Sequence, residues 1–175
     1  MYTSSIQLSQ FRPKQARSKA RREALLKYGA ELFETFELDE FSIAELTESL
    51  GFSTGSFYSY FRDKTTYFIE LQEWVQKNLD VDFENTFKHQ SFAKKSVIDR
   101  CRVCIEFALL YLRKHTGLVR SALRYERRIP AAWAPSRART VEIISIATLG
   151  LSNEDKRRLE ISLQMGFGLL VNSIL

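Results

Sequence analysis

Apolar residues recur along this chain three and four positions apart, and sustained alternation is absent, so the pattern predicts helices throughout. Leu25, Gly29, Leu32, Phe33 and Phe36 form the stripe of a first helix over residues 17–36, and residues 37–41 read as a loop. Ser42 and Glu45 make an S-x-x-E capping box, and Ile43, Leu46 and Leu50 give the helix behind it one apolar side. Gly51 stands where that helix must end in a left-handed residue. Ser53 or Thr54 caps a second short helix, whose Phe57 and Phe61 turn to the core. Asp63 then caps a long helix to about residue 79, carrying Tyr67, Phe68, Leu71, Trp74 and Val75 on one side.

Only the helical pattern remains beyond Asp80. Phe83, Phe87, His89 and Phe92 punctuate residues 81–92. A strongly amphipathic helix follows over 95–116, through Val97, Cys101, Cys104, Ile105, Ala108, Leu109 and Leu112, and Gly117 is expected to break it. A short helix over 118–128, a bend at Pro130 and Pro135 around Trp133, and a helix over 136–149 come next. The last helix opens at Ser152 with Glu154 and Asp155 in its first turn, as the helix dipole prefers. After Ile161 it is apolar almost all round, which requires burial on two sides. One side packs on its own domain. The other suits a second copy, with Leu163, Gly166, Phe167, Leu170 and Ile174 as the expected dimer interface; the alternative is the central helix of a monomer. The chain stops at Leu175 inside this apolar run, from which we expect the natural helix to continue.

The second short helix presents Thr54, Gly55, Ser56, Tyr58, Ser59 and Tyr60 away from its core residues. Small hydroxyls, a bare glycine and two phenols do not bury themselves, but they suit a DNA groove, where hydroxyls bond phosphates or base edges. A helix-turn-helix places its second helix in the major groove. The net charge of +5 is mild, and its placement matters more than its size. Residues 1–22 hold six Lys or Arg and no acid, whereas residues 23–62 hold two against eight acids, so the basic charge sits on the N-terminal arm and not on the whole domain. Arg17 and Arg21 are the candidates for phosphate contact there. Lys64 sits in the first turn of a helix, where a cation opposes the dipole; a phosphate contact explains it better than a purely structural role.

Leu46, Gly51-Phe52-Ser53, Gly55-Ser56-Phe57-Tyr58, Tyr60-Phe61 and Lys64 resemble the DNA-binding domain of the TetR family of bacterial transcriptional regulators. The likeness spans roughly residues 17–71 and departs from the common pattern at Glu37, Phe41 and Leu50. It implies an all-α protein: an arm and helix-turn-helix domain over 1–62, then a helical ligand-binding and dimerisation domain over 63–175. It also implies a homodimer on a palindromic double-stranded operator, released by a small-molecule effector. Ser42, Ser53, Thr54, Gly55, Ser56, Tyr58, Ser59, Tyr60 and Lys64, with Arg17 and Arg21, are then the DNA-binding residues. The effector cavity is expected among the aromatics of the middle helices: Trp74, Phe83, Phe107, Tyr111, Tyr125 and Trp133.

Other chemistry finds little support. Cys101 and Cys104 lie on one helical face without a second ligand pair for zinc, and read as small buried hydrophobes. His115, near a helix C-terminus, meets the dipole favourably and needs no other role. No nucleophile triad or phosphate loop is visible, so no enzyme activity, cofactor or metal is expected. Two cysteines, no signal peptide and no apolar run of about 18 residues point to the cytoplasm and away from a membrane. A regulator controlled by a protein partner, or a helical interaction module without DNA function, are the competing readings.

Overall fold

Side-chain caps start three helices of the N-terminal head, and a glycine makes the turn between the first two of them. In the computed structural model, which describes residues 14–126, 128 and 134–173, helix α1 runs Lys14–Leu32 and leads into a short 3-10 turn, Leu38–Glu40. Ser42 and Glu45 close the capping box at the start of α2 (Ile43–Glu48). Gly51 takes φ +66°, and Ser53 caps α3 (Thr54–Tyr58) by accepting from the Ser56 amide. Helix α3 is shorter than its pattern predicts: it ends at Tyr58 with Ser59 as its C-cap, yet Phe57 and Phe61 are both buried. Asp63 caps α4 (Lys64–Asn78) through the Thr66 amide.

Leu25, Phe33, Leu46, Phe57, Phe61, Tyr67, Phe68 and Leu71 are all but fully buried in one cluster. Each such side chain contributes about 1.5–3 kcal/mol by leaving water, far more than any cap. Burial therefore holds the head together, and the caps set its turns. The cluster does not stop at residue 62. Tyr67, Phe68, Leu71 and Val75 of α4 belong to it, and so do Leu118 and Ala122.

The remaining helices are α5 (Asp80–Phe87), α6 (Gln90–Ala93), α7 (Val97–Lys114), α8 (Thr116–Tyr125), α9 (Ala134–Ala147) and α10 (Asn153–Asn172). Pro130, Trp133 and Ile174, and the arm before Lys14, lie outside the described residues. Helices α7, α9 and α10 pack on one another, and α4 packs on α1 and on α9. A second core gathers Phe83, Phe87, Phe92, Cys104, Ile143, Ile144, Leu163 and Phe167. Burial pushes the Cys104 thiol up to about 12, in keeping with a packed hydrophobe.

Four expectations need correction. Gly117 does not break a helix: it lies buried within α8, and the break falls at His115. A Cβ on Gly117 would stand 2.1 Å from the Phe36 carbonyl oxygen, so the glycine is there for close approach. His115 is not a charged partner of a helix dipole: it is buried, and desolvation pushes it down to about 4. Phe36 is about half exposed, because α1 ends before it. Finally, Leu163 and Phe167 face their own core, and Leu170 packs against it. The exposed apolar row of α10 is Ile161, Met165 and Leu169 instead; Gly166 is also exposed. A helix apolar on all sides announces two buried faces without saying which residue takes which.

Candidate nucleic-acid interface

The outer side of α3 is built of small polar groups. Ser53, Thr54, Gly55 and Ser59 are exposed, and nothing but Ser53 Oγ comes within 4 Å of the place a Gly55 Cβ would take. Ser56 is half-buried, and its hydroxyl lies 3.0 Å from that of Ser53. Ser59 donates to the Ser56 carbonyl at 2.6 Å. Tyr58 is 54% exposed and stands edge-on to Phe57, which leaves its phenol in water. Tyr60 differs from these: it is half-buried and packs against the head's core. Ser42 is exposed but already serves its capping box, which holds the Glu45 carboxyl below its usual range.

No charged residue occurs between Glu48 and Arg62, so cations reach this surface only from neighbouring elements. Arg21 is exposed on α1, and its guanidinium lies 5.8 Å from the Phe52 ring centre, beside the start of α3. Arg17 is exposed one turn earlier. Arg22, by contrast, pairs with Glu70 and stacks over Phe61, clamping α1 to α4. Arg62 is the cation that pattern reasoning passed over. Its side chain is 89% exposed at the end of the recognition segment, 3.8 Å from Asp63. Its signal was in plain sight: a lone cation at the junction of two helices.

Lys64 has a structural partner, contrary to the expectation that such a role is disfavoured. Its ammonium donates to the Phe41 carbonyl oxygen and lies 4.6 Å over the Phe41 ring. Burial lowers its pKa, while Asp39 and Glu45 act the other way. A cation in a first turn is tolerated here because a carbonyl, a ring and two acids surround it.

The loop behind the helix-turn-helix is tied to α8. Leu38 N–H donates to Ser121 Oγ at 2.8 Å, Arg124 pairs with Glu37 at 3.0 Å, and Tyr125 donates to Asp39. Tyr125 therefore belongs to this seam and not to a cavity. Trp74 is likewise elsewhere, donating to Glu23 at 2.8 Å on the outer side of α4. Phe83 lies in the second core with Arg139 4.4 Å over its ring. Among the described aromatics expected around an effector, Phe107 and Tyr111 meet at one cavity, a space of about 50 Å³ among α4, α7, α9 and α10, while Trp74 lines a separate cleft with Val75 and His115. No group of three or more metal-ligating side chains occurs among the described residues.

Residues 25–71 match the family model of bacterial regulatory proteins, tetR family. No curated protein and no solved structure matches the chain. The capped helices, the left-handed Gly51 turn and this match together define a helix-turn-helix, DNA-binding transcription regulator. Over this N-terminal segment the chain is similar to the tetR family. No described helix is long and apolar enough to cross a membrane.

Proposed function

We propose that the protein is a repressor that binds a palindromic operator as a homodimer and leaves it when a small effector binds beyond α4. One observation carries the reading: a single helix, α4, begins at the DNA-facing head and brings Gln76, near its far end, to the cavity. Any shift of its far end is delivered to α3 through the shared core. Ser53, Thr54, Gly55, Ser56, Tyr58 and Ser59 read the groove. Ser42, Tyr60, Lys64, Arg17, Arg21 and Arg62 supply flanking and phosphate contacts. Residues 1–62 act as the reading domain and 63–175 as the sensing and dimerising one. The row Ile161, Met165 and Leu169 supports the dimer, because three large exposed side chains on one helix are costly to leave in water.

The test is selection from a randomised duplex pool at several salt concentrations, with sedimentation of the same preparation. A two-fold symmetric motif, half-sites about 34–36 Å apart or a multiple, and a steep salt slope are expected. Tyr58→Ala should erase the motif while keeping salt-dependent binding. Folded protein that enriches no sequence would refute the reading and leave an interaction module.

A further inference from the structure

Gln76 is 93% buried at the edge of the cavity, and its amide is only half used. The Nε2 group donates to Tyr111 OH at 2.9 Å and to Ser136 Oγ at 3.2 Å. The two hydroxyls lie 3.3 Å apart, so one donates to the other. Two valences remain. Gln76 Oε1 is buried without a donor, and one hydroxyl hydrogen has no acceptor within the trio. Thr140 does not close the gap, since its hydroxyl donates to the Ser136 carbonyl at 2.9 Å. A buried amide oxygen left unpaired costs about 1–3 kcal/mol. Gln76 Oε1 calls for a donor, and a hydroxyl supplies one while its oxygen can accept from the Tyr111–Ser136 pair.

The rest of the cavity decides what bears that hydroxyl. Its other walls include Phe107, Leu112, Ile143 and Phe167, which suit an apolar ring. No acidic side chain lines it, which disfavours a cation. Arg139 does line it, but its guanidinium is taken by Asp80, by Glu142 at 2.9 Å and by the face of Phe83. An anion would have to strip that pairing, and an unpaired buried charge is prohibitive. The space of about 50 Å³ admits a water or two, whereas a benzene-sized guest needs about 150 Å³. The ligand is therefore small, and a ring enters only as α10, which contributes Phe167 and Val171, gives way.

We propose that this cavity binds a small neutral hydroxyl compound of the phenol type, its O–H donated to Gln76 Oε1 and its oxygen accepting from the Tyr111–Ser136 pair. The proposal deepens the ligand-released reading above and rests on it for its regulatory meaning. Turning the Gln76 amide over would leave donors in place of the acceptor and select an acceptor-only ligand. Anisole therefore serves as the control for that arrangement, toluene for apolar fit alone, and benzoate for charge.

The experiment is calorimetric titration of the full chain with these four probes, alongside retention of the selected DNA. Phenol should bind at least tenfold tighter than toluene, anisole or benzoate. Gln76→Met should remove that preference and leave toluene unchanged; Ser136→Ala gives the same reading if circular dichroism shows the first variant unfolded. Equal binding of anisole or toluene overturns the proposal. So does a folded protein that ignores phenol, whose amide oxygen is then satisfied by water alone. Phenol that binds with DNA retained upholds the ligand chemistry and refutes ligand-released repression. DNA selection without phenol binding refutes the ligand chemistry and leaves sequence-specific DNA binding standing.

Discussion

The amide of Leu38 donates to the hydroxyl of Ser121, 83 positions later in the chain, and both residues are buried. This bond fixes the loop before the helix-turn-helix to α8. Ser121→Ala leaves a buried N–H without a partner, at a cost of about 1–3 kcal/mol. Denaturant unfolding should show that loss, and hydrogen exchange should show the Leu38 amide losing protection. Arg124–Glu37 is more exposed, and deleting it should change stability by about 1 kcal/mol or less. A Ser121→Ala protein as stable as the parent, with Leu38 still protected, would show that the seam does not depend on this bond.

Gly117→Ala tests the same seam sterically. A methyl group ordinarily favours a helix over glycine by about 1 kcal/mol. Here it would meet the Phe36 carbonyl oxygen at 2.1 Å and the Phe33 carbonyl oxygen at 2.9 Å. The Phe33 carbonyl also accepts from Leu118 N–H at 3.2 Å, so it is not free to retreat. Overpacking of this kind costs about 1–3 kcal/mol and outweighs the propensity gain. Thermal unfolding of the variant should show a net loss; a rise in midpoint would contradict the contact.

Gln72 lies one turn before Gln76 on α4, is 1% exposed, and has neither amide atom hydrogen-bonded. Gln72→Leu removes both orphaned groups at similar volume and should stabilise the protein by about 1–2 kcal/mol. Urea unfolding decides the sign. A destabilised variant would mean that ordered water satisfies the amide.

His115 is buried against Tyr111, ring centres 5.1 Å apart, and its Nδ1 has no partner. Burial, with Lys114 beside it, pushes its pKa down to about 4 from an ordinary 6.5. Lys27, Glu31, Glu34 and Asp82 share the adjoining cleft. Between those values the unfolded chain holds the proton more tightly, so stability is full above pH 6.5 and declines as pH falls towards 4. The loss reaches about 2–3 kcal/mol. Asp63, whose carboxyl is lowered by its bonds to Thr66, loses its share only at lower pH still. His115→Phe should flatten the stability profile between pH 4 and 6.5 relative to the parent; parallel profiles would exclude the histidine as the cause.

Much of the head was legible in the sequence because its signals are local. Ser42 with Glu45, Gly51, Ser53 and Asp63 each act within three or four residues, and each does in the structure what its spacing predicts. The seam was not legible. Glu37, Leu38 and Asp39 meet Arg124, Ser121 and Tyr125 one side chain at a time, and no periodicity records such pairings. The cavity was half legible for a related reason. An aromatic residue tells how much area is to be buried, not against which neighbour. Phe107 and Tyr111 reached the cavity, whereas Trp74 turned to Glu23 and Tyr125 to Asp39. Its most informative member, Gln76, lies among other polar residues and is marked only by its lying one turn beyond Gln72 on the buried side of α4.

Leu118 and Ala122 belong to the core that the recognition helix shares, and this sets an order of events while the protein is being made. The ribosome releases α3 long before it reaches Ala122. At roughly 5–20 residues per second, the reading head waits several seconds with one wall of its core missing. The core that the head shares is complete only once α8 exists, together with α4 and α7. The same arithmetic governs any hybrid regulator: a head cut at the end of α4 leaves its own hydrophobic floor behind, and a functional graft must carry α8 with it.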